Sequence, residues 1–330
     1  MKVLILLGGQ SAERDVSYAT GIAVAKALEA RGHSVAGLDP ADGTWYEGSD
    51  WYANKHLIAN TPPALSGAER QSRMLSTSLA DSRIDNFDTV FIALHGGTGE
   101  DGTVQTLLSL TGVPFTGSGP LSSGVAMHKH TSKRLFLQSG IPTPDWLFPV
   151  ENGSNPLDEL ELPVIVKPVA EGSTVGLSLV KDAADLPGAL KQAGRHAMVE
   201  SFIPGRELSV GVLGDRALPP VEIIPDHEIY DYECKYTDGM SQYKCPAPLD
   251  SGVESYILEL SLRAHKVLGC EGVARVDFRL SHDYTPYCLE VNTLPGMTAH
   301  SLVPMAAQAA GMDFETLCEH ICELAHQKSN

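Results

Sequence analysis

The chain has 330 residues, which is long enough for two or three domains that each have a core. Its 24 Lys and Arg against 41 Asp and Glu give a net charge of −17, and this balance argues against nucleic acid or an anionic membrane as a partner. The six scattered cysteines indicate a reducing cytoplasm rather than a disulfide framework.

The first predicted element is a buried strand in "KVLILLGG", residues 2–9. This run is far shorter than the ~18 apolar residues of a membrane-spanning helix, and it lacks the charged flank and cleavage pattern of a signal peptide. An amphipathic helix at 17–33 follows, and then apolar strands at 34–40 and 88–96. Continuous apolar strands that alternate with helices predict a parallel, doubly wound α/β sheet.

The stretch before the third strand, residues 41–86, has no sustained periodicity and is interpreted as a peripheral insertion. Two helices are predicted after that strand. The first covers 99–112 and opens with acidic residues, which suit a helix N-terminus. The second covers about 122–139.

The second half of the chain has a different texture. A linker, "GIPTP" at 140–144, leads into short apolar strands separated by Gly or Pro turns, with one helix at about 182–194. This pattern predicts a mixed α+β region. A long helix from 252 precedes two last strands, "GVARVDFRLS" and "TPYCLEVNT", whose hairpin-like spacing brings Asp277 beside Glu290 and Asn292.

These three residues are candidate ligands of a hard cation. Glu290 and Asn292 are two positions apart in a strand, so their side chains project from the same face. A small number of oxygen ligands suits Mg²⁺ that is bound together with a nucleotide. The alternative is a set of polar residues on a solvated sheet face, and the spacing alone leaves both interpretations open.

Two glycine-containing stretches are also ambiguous by themselves. "KPVAEGSTVGLS", 167–178, contains no Walker A pattern, and it predicts either a hairpin whose backbone N–H groups face phosphates or an ordinary β-turn. "GGQSAER", 8–14, lacks the G-x-G-x-x-G spacing, which excludes nicotinamide-dinucleotide binding. Its Ser11 and Glu13 could simply cap the next helix.

Near the C-terminus, Cys318, Cys322 and His326 fall on one face of a predicted helix. A metal site would need a fourth ligand, and the sequence nearby offers none. An apolar stripe accompanies the two cysteines, so we predict buried thiols.

Eight stretches, in order and nearly end to end, resemble the D-alanine–D-alanine ligase family of the ATP-grasp superfamily. They are "LLGGQSAERDVS", "LHGGTGEDGTVQ", "PFTGSG", "LPVIVKPVAEGSTVG", "FIPGRELSVGVLG", "YDYECKYTDGMSQYKCPAPL", "GVARVDF" and "LEVNTLPGMTAHSLVP". Any one of these could arise by chance, but eight in family order could not plausibly do so.

The resemblance implies a three-domain ATP-grasp fold of the α/β class. An N-terminal parallel α/β domain, 1–121, would bind the first substrate. A central mixed α+β subdomain, 122–214, would carry the glycine-rich loop, and a C-terminal domain, 215–330, would carry a lid loop, metal ligands and an oxyanion site. The implied activity is ATP-dependent ligation of two D-alanines through an acyl phosphate, for peptidoglycan precursor synthesis.

The resemblance also implies how ATP and metal ions are bound. Lys129, Lys167 and Lys235 would lie toward the phosphates. The hinge from Glu200 through Phe202 to Ile203 would meet adenine, and Glu207 would bind the ribose. Two Mg²⁺ ions, for which Mn²⁺ could substitute, would be held by Asp277, Glu290 and Asn292, with Glu290 between them.

For the amino-acid substrates, the resemblance implies that Glu13 takes the ammonium of the first D-alanine and that His95 lies close by. Ser173 and Tyr236 would connect to Glu13 through hydrogen bonds that hold the loops shut. The remaining implied residues stabilise the oxyanion or contact the second D-alanine: Arg275 and the Gly296 N–H for the former, Ser301 and Leu302 for the latter.

One departure and two rival functions stand beside this prediction. The family usually has Met-Asp-Lys where this chain has Met127-His128-Lys129, so a carboxylate that could orient Lys129 is missing. The first rival is a ligase with a different second substrate, such as D-lactate, D-serine or another amino acid. The second is a non-catalytic nucleotide-binding relative, which would be expected to lose metal ligands or Arg275, whereas this chain keeps them. We expect D-alanine and ATP as the ligands, a homodimer, and a cytoplasmic protein without nucleic-acid or membrane partners.

Overall fold

A computed structural model describes residues 1–48, 50–52, 68–148, 150, 155–172, 174–237, 239–299 and 301–327. At 68–72, 232 and 236 it describes the backbone alone. Among these residues, no helix is both long enough and apolar enough to cross a membrane.

The N-terminal sheet is built around a buried first strand. Its strands are β1 (Lys2–Leu6), β2 (Ser34–Asp39), β3 (Thr44–Tyr46) and β4 (Thr89–Ile92). The order is β3-β2-β1-β4, with β1 parallel to both of its neighbours as predicted, and β3 antiparallel at the edge. The accompanying helices are α1 (Arg14–Ala30), α2 (Ala68–Leu79) and α3 (Thr103–Ser109).

The interpretation of 41–86 as peripheral is wrong for the part that the structure describes. β3 extends the N-terminal sheet, and Leu75 and Leu79 of α2 are 5% and 2% exposed within the core beneath it. Sequence periodicity missed this contribution because the segment combines a very short strand with a helix rather than one regular element.

A second region follows two consecutive helices, α4 (Pro120–Met127) and α5 (Lys129–Gln138). The prediction of one helix over 122–139 is wrong, because His128 interrupts the helical backbone with ψ near 89°. The central sheet has strands β5 (Trp146–Leu147), β6 (Val164–Pro168), β7 (Ser178–Val180) and β8 (Ala197–Ser201), and helix α6 (Leu186–Ala193) packs on it. Its order is β5-β8-β6-β7, and all pairs are antiparallel.

The C-terminal sheet has the order β12-β11-β9-β13-β14, with β10 paired to β9. Its strands are β9 (Gly205–Leu213), β10 (Arg216–Ala217), β11 (Val221–Pro225), β12 (Ser241–Lys244), β13 (Val273–Ser281) and β14 (Pro286–Asn292). The helices here are α7 (Tyr232–Tyr236), α8 (Ser251–Val267), α9 (Leu302–Ala309) and α10 (Phe314–Gln327).

Two predictions about side chains can be checked on this frame. Asp277 is paired with Glu290 across β13 and β14, as the hairpin spacing predicted. On α10, Cys318 and Cys322 are fully buried, so the prediction of core thiols is confirmed.

Candidate active site

A cleft of about 990 Å³, counted out to its mouth, lies between the central and C-terminal sheets. Backbone from the glycine-containing turn after β6, including Gly172 and Thr174, forms part of its wall. The residues predicted to bind a nucleotide line this cleft together, along with two of the predicted metal ligands: Lys129, Lys167, Glu200, Phe202, Ile203, Glu207, Lys235, Asp277 and Glu290.

A second cavity of about 1550 Å³ adjoins this cleft. It is lined by the residues predicted to contact amino-acid substrates, together with the third predicted metal ligand: Glu13, His95, Gly296, Ser301, Leu302 and Asn292. The two spaces share walls formed by six residues: Gly172, Tyr230, Lys235, Arg275, Glu290 and Leu302. Three charged side chains, Lys235, Arg275 and Glu290, therefore lie where the two spaces meet.

Glu290 is surrounded by positive charge at this junction. Its Oε2 lies 3.0 Å from Lys129 Nζ, which also donates to the Glu171 carbonyl at 2.8 Å. Burial opposes ionisation of Glu290, but the charges of Lys129, Lys167 and Lys235 outweigh burial and lower its pKa to about 2. The carboxylate is thus a permanent anion at neutral pH.

Asp277 is held on the neighbouring strand by a paired guanidinium. Arg275 Nη2 lies 2.7 Å from Asp277 Oδ2, and Arg275 Nε lies 2.9 Å from Oδ1. Ser209 Oγ donates to the same Oδ1 at 2.8 Å. Burial disfavours the charged guanidinium, but Asp277 outweighs burial and raises the pKa of Arg275. Asn292, the third predicted metal ligand, has a backbone partner rather than a charged one: its Oδ1 accepts the Leu294 N–H at 2.9 Å.

The wall around Glu13 comes from the N-terminal domain. Glu13 is the N-cap residue of α1 but makes no side-chain capping bond there, so the capping alternative does not account for its carboxylate. A Cβ at Gly96 would lie 2.7 Å from Glu13 Oε2, and a Cβ at Gly172 would lie 2.8 Å from it. Glycines from two different loops therefore allow backbone to enclose this carboxylate.

His95 lies in the same wall and is fixed by hydrogen bonds. Its Nε2 is 2.9 Å from Thr20 Oγ1, and its backbone N–H donates to Ser17 Oγ at 2.9 Å. Burial lowers the pKa of His95, which keeps the ring neutral at physiological pH.

Comparison with known proteins identifies this arrangement. A family model described as "D-ala D-ala ligase N-terminus" matches residues 2–118, and one described as "D-ala D-ala ligase C-terminus" matches residues 135–323. The chain belongs to the D-alanine–D-alanine ligase family. Members of the family are ATP-dependent carboxylate–amine ligases, and both the resemblance and the enzyme class predicted from the sequence are confirmed.

Individual relatives cover the chain almost completely. The D-alanine–D-alanine ligases of Nitrosospira multiformis and Bordetella pertussis are 44% and 45% identical to it, over 98% and 96% of this chain and 97% and 92% of theirs. The structure of the Bacillus anthracis ligase complexed with ATP is 29% identical with a TM-score of 0.79, and the alignment covers 100% of this chain and 98% of that one. The predicted ATP-grasp fold is thereby confirmed.

A second solved structure widens this comparison. The VanG D-Ala:D-Ser ligase of Enterococcus faecalis is 28% identical with a TM-score of 0.77, over 98% of this chain and 99% of that one. Since ligases named for different second substrates share the fold, the fold alone does not select that substrate. The relatives at 44–45% identity favour D-alanine.

The departure at His128 has a local explanation. His128 is the N-cap of α5, and its Nδ1 accepts from Thr131 N at 3.3 Å and lies 2.9 Å from Thr131 Oγ1. An aspartate at this position could cap the helix in the same way. Histidine therefore retains the cap without a negative charge, and Lys129 is instead held by Glu290 and the Glu171 carbonyl.

Glu200 has a structural role that the sequence did not predict. Its side chain is 3% exposed and lies between two lysines, 2.5 Å from Lys133 Nζ and 2.7 Å from Lys167 Nζ. Burial lowers the pKa of Lys133 to about 8, with Glu200 opposing and Lys167 adding to that shift. The Glu200 carboxylate thus fixes Lys167 in the cleft wall, while Phe202 and Ile203 line the cleft directly.

Glu207 and Arg279 form a second buried pair in the cleft. Arg279 Nη1 lies 3.3 Å from Glu207 Oε2, and its other nitrogens donate to the carbonyls of Ile203 and Gly205. Burial raises the pKa of Glu207 despite this guanidinium. Arg279 was not predicted, and the alternation of β13, which places it on the same face as Arg275 and Asp277, is the signal that could have found it.

Glu100 is the other functional candidate that sequence reasoning missed. Its Oε2 accepts the Gly96 N–H at 3.0 Å, and its side chain lines the second cavity. Burial and the neighbouring Glu13 raise its pKa to about 8. Its place in "GEDGTVQ", part of a family-like stretch, is the available signal, but the acidic residues there by themselves predict only an ordinary helix start.

Of the remaining predicted residues, the structure describes some and not others. Ser173 lies outside the described residues, as does the side chain of Tyr236, so the predicted link from Glu13 through them stays a prediction. Ser301 begins α9, and its Oγ accepts the Thr298 N–H at 3.0 Å. A Cβ at Gly296 would lie 2.9 Å from that Oγ, which favours glycine at this wall of the second cavity.

Proposed function

We propose that the protein joins two D-alanines into D-alanyl-D-alanine with ATP as co-substrate, and that the residues described above carry out the reaction. The observation that carries the proposal is the meeting of a lysine-lined cleft with a second cavity at Glu290, Arg275 and Lys235. The enclosed carboxylate of Glu13 supplies the second cavity with an anion suited to an amino-acid ammonium.

We assign ATP to the cleft of about 990 Å³. Lys129, Lys167 and Lys235 place three cations along it, which offsets the repulsion that a chain of net charge −17 would exert on a triphosphate. Phe202 and Ile203 would provide an apolar surface for adenine, and we assign Glu207, which lines the same cleft, to a ribose hydroxyl.

We further propose Mg²⁺ as the resident cation, with Mn²⁺ able to substitute. Asp277 and Glu290 are directly paired across β13 and β14, line the same cleft and offer the hard oxygen donors that Mg²⁺ prefers. Asn292 is one step further along the same face, and two ions held by the three residues remain our proposal. Bound Mg²⁺ would offset charge on the transferred phosphoryl group.

The chemistry proposed for this chain has two steps. The carboxylate of the first D-alanine, anchored through its ammonium at Glu13, attacks the γ-phosphorus of ATP, so that an acyl phosphate forms and ADP leaves. The free amine of the second D-alanine then attacks the acyl carbon, phosphate leaves with the bonding electrons, and the amine loses a proton. Arg275 and the Gly296 N–H would stabilise the tetrahedral oxyanion, a contribution of about 3–4 kcal/mol for one such donor in other enzymes.

Product analysis tests this function. The purified protein is incubated with ATP, Mg²⁺ and a panel of D- and L-amino acids, and dipeptide, ADP and phosphate are quantified. We expect equal amounts of the three products with D-alanine, and we expect Glu13→Gln to lose activity far more than Glu228→Gln, a change in an exposed ion pair. ATP hydrolysis without dipeptide, or a preference for L-amino acids, would contradict the proposal.

The wider organisation is also proposed rather than observed. We propose three domains at 1–121, 122–214 and 215–330, although β9 at 205–213 pairs with the strands of the C-terminal sheet. We propose a homodimer, and a cytoplasmic location, which the six cysteines scattered through the sequence support.

A further inference from the structure

The segment that follows β11, residues 226–237, contains a cluster of side chains that the proposed ligation does not use. We call this the lid segment, because Tyr230, Cys234, Lys235 and Thr237 line the second cavity. It includes α7, and Lys235 Nζ lies 5.2 Å from the centre of the Tyr230 ring. The position of the lid-segment backbone therefore sets the position of the Lys235 side chain, which lines both the cleft and the second cavity.

Three ligand-type atoms of this segment lie together. His227, Asp231 and Cys234 each offer one, and these atoms are all within 4.8 Å of one another. The imidazole Nδ1 of His227 is 2.7 Å from Asp231 Oδ2. The other carboxylate oxygen of Asp231 accepts the Cys234 N–H at 2.9 Å, so that Oδ2 stays turned toward the histidine.

The burial of the three side chains is graded from outside to inside. The His227 and Asp231 side chains are 39% and 33% exposed, whereas Cys234 is 1% exposed. An ion could therefore enter from the solvent side past the imidazole and carboxylate and meet the sulfur at the base. The approach does not pass through the nucleotide cleft, since neither His227 nor Asp231 lines it.

The donor set selects the class of ion. One imidazole nitrogen, one carboxylate oxygen and one thiolate sulfur are the ligands of zinc-class cations, whereas Mg²⁺ and Ca²⁺ take oxygen ligands. Three protein ligands would leave a fourth position for water in a tetrahedral site. We propose that His227, Asp231 and Cys234 form a Zn²⁺-class site on the lid segment, separate from the Mg²⁺ site at Asp277 and Glu290.

Binding would alter bonds in a defined way. The Cys234 S–H bond breaks, a sulfur–metal bond forms, and that proton leaves to solvent. The hydrogen between His227 Nδ1 and Asp231 is displaced as well: a cationic ring loses it to solvent, and a neutral ring carries its hydrogen on Nε2 instead, so that Nδ1 and the carboxylate each bind the ion. No oxidation occurs. Because the ion would join residue 227 to residue 234, it would tie α7 to the backbone that precedes it and restrain Lys235, the next residue of that helix. We therefore expect occupancy to slow ligation.

Spectroscopy with Co²⁺ tests the site directly. The full-length protein is kept reduced with a phosphine, freed of metals with a chelator, and placed in excess Mg²⁺ so that the oxygen-ligand site is filled. Co²⁺ is then titrated, and Zn²⁺ is used to displace it. We expect one equivalent to produce a thiolate-to-cobalt charge-transfer band that Zn²⁺ abolishes.

Variants separate this site from adventitious binding. Cys234→Ser should remove the band, and His227→Gln should weaken Co²⁺ and Zn²⁺ binding by more than about tenfold, the loss that removing even a supporting partner causes at metal sites. Cys245→Ser is the matched control, because Cys245 is a part-buried thiol whose Sγ lies 3.7 Å from the Met305 carbonyl, and it should keep the band.

Several outcomes would overturn the proposal. These are no charge-transfer band, a band that persists in Cys234→Ser, a band lost equally in Cys245→Ser, or wild-type affinity in His227→Gln. If Cys234→Ser fails to fold, the exposed His227→Gln variant still decides the question. Slower ligation when Zn²⁺ fills the site, with wild-type rates in His227→Gln at the same Zn²⁺ concentration, would support the restraint of the lid segment.

Discussion

At the residue scale, Glu290 has the most strongly determined environment of the proposed metal ligands. Lys129 touches its carboxylate at 3.0 Å, and Lys167 and Lys235 add positive charge at longer range. A lowered pKa of about 2 means that the charge of Glu290 stabilises the fold above its ordinary pKa and that this contribution is lost as the pH falls toward 2. At neutral pH the anion is available for catalysis.

We predict that Glu290→Gln will reduce turnover far more than it reduces stability. The amide preserves shape but removes the anion that would balance the lysines and, when Mg²⁺ is bound, the metal. Phosphate release at saturating Mg²⁺ measures turnover, and urea unfolding measures the free energy of unfolding. Glu228→Gln, in an exposed pair with Lys181, should change neither quantity appreciably. A near-wild-type rate would remove Glu290 from the proposed ligands.

Glu100 should affect the pH dependence of stability in the opposite direction to Glu290. Burial and Glu13 raise its pKa to about 8, so the folded protein holds a proton that the unfolded chain releases above an ordinary pKa near 4.5. Its contribution to stability is present below that ordinary pKa and is lost as the pH rises through about 8. A variant without the Glu100 carboxyl group should not lose stability in this way as the pH rises.

The test is urea unfolding of wild type and Glu100→Gln between pH 5 and pH 8 without substrates. We expect the free energy of unfolding of the variant, relative to that of wild type, to increase as the pH rises, by up to roughly 1.4 kcal/mol per pH unit for one proton. Asp101→Asn, an exposed neighbour, should give a constant difference from wild type across the same range. Parallel curves for wild type and Glu100→Gln would refute the raised pKa.

At the element scale, β6, β8 and α5 are joined by one buried charge cluster. Glu200 of β8 accepts from Lys167 of β6 and from Lys133 of α5, with all three side chains 9% exposed or less. Two lysines share this one carboxylate. If the carboxylate is removed, both buried lysine charges lose their partner.

We predict that Glu200→Gln will destabilise the protein by about 3–5 kcal/mol, the usual cost of removing one partner from a buried ion pair. Lys133→Met should lower the free energy of unfolding by less. Methionine is similar in length to lysine but carries no charge, so the Lys167–Glu200 pair stays balanced. Urea unfolding at pH 7 measures both variants. Equal stabilities for the two variants would show that the carboxylate is not the centre of the cluster.

At the scale of the whole molecule, the sequence predicted local and short-range features well. Apolar strands and their alternation with helices gave the parallel N-terminal sheet, and the hairpin spacing correctly paired Asp277 with Glu290. The missed features depend on contacts between distant parts of the chain. Lys133 meets Glu200 across 67 positions, and no periodicity within either element encodes that contact. The helix break at His128 was missed because histidine is not a strong helix breaker.

The choice of second substrate is also a property of the whole molecule, because all three regions supply walls of the second cavity. Glu13 and Glu100 come from the N-terminal region, Gly172 from the central region, and Lys235, Arg275 and Ser301 from the C-terminal region. Lys235 also lines the cleft assigned to ATP, where its charge would face the phosphates rather than an ammonium in the second cavity. The ionised carboxylate of Glu290 in the same wall favours an ammonium over a neutral hydroxyl.

We therefore predict D-alanyl-D-alanine as the main product when D-alanine, D-lactate and D-serine compete at equal concentrations. An ammonium must lose a proton before it can attack, so the share of dipeptide over D-alanyl-D-lactate should rise between pH 6 and pH 9, whereas the hydroxyl of D-lactate gains nothing from that change. Products separated by mass at each pH, with D-alanine alone as the control, give the ratio. Mostly D-alanyl-D-lactate or D-alanyl-D-serine at pH 7.5 would overturn the substrate assignment, and a falling dipeptide share at higher pH would refute the proposed role of amine ionisation.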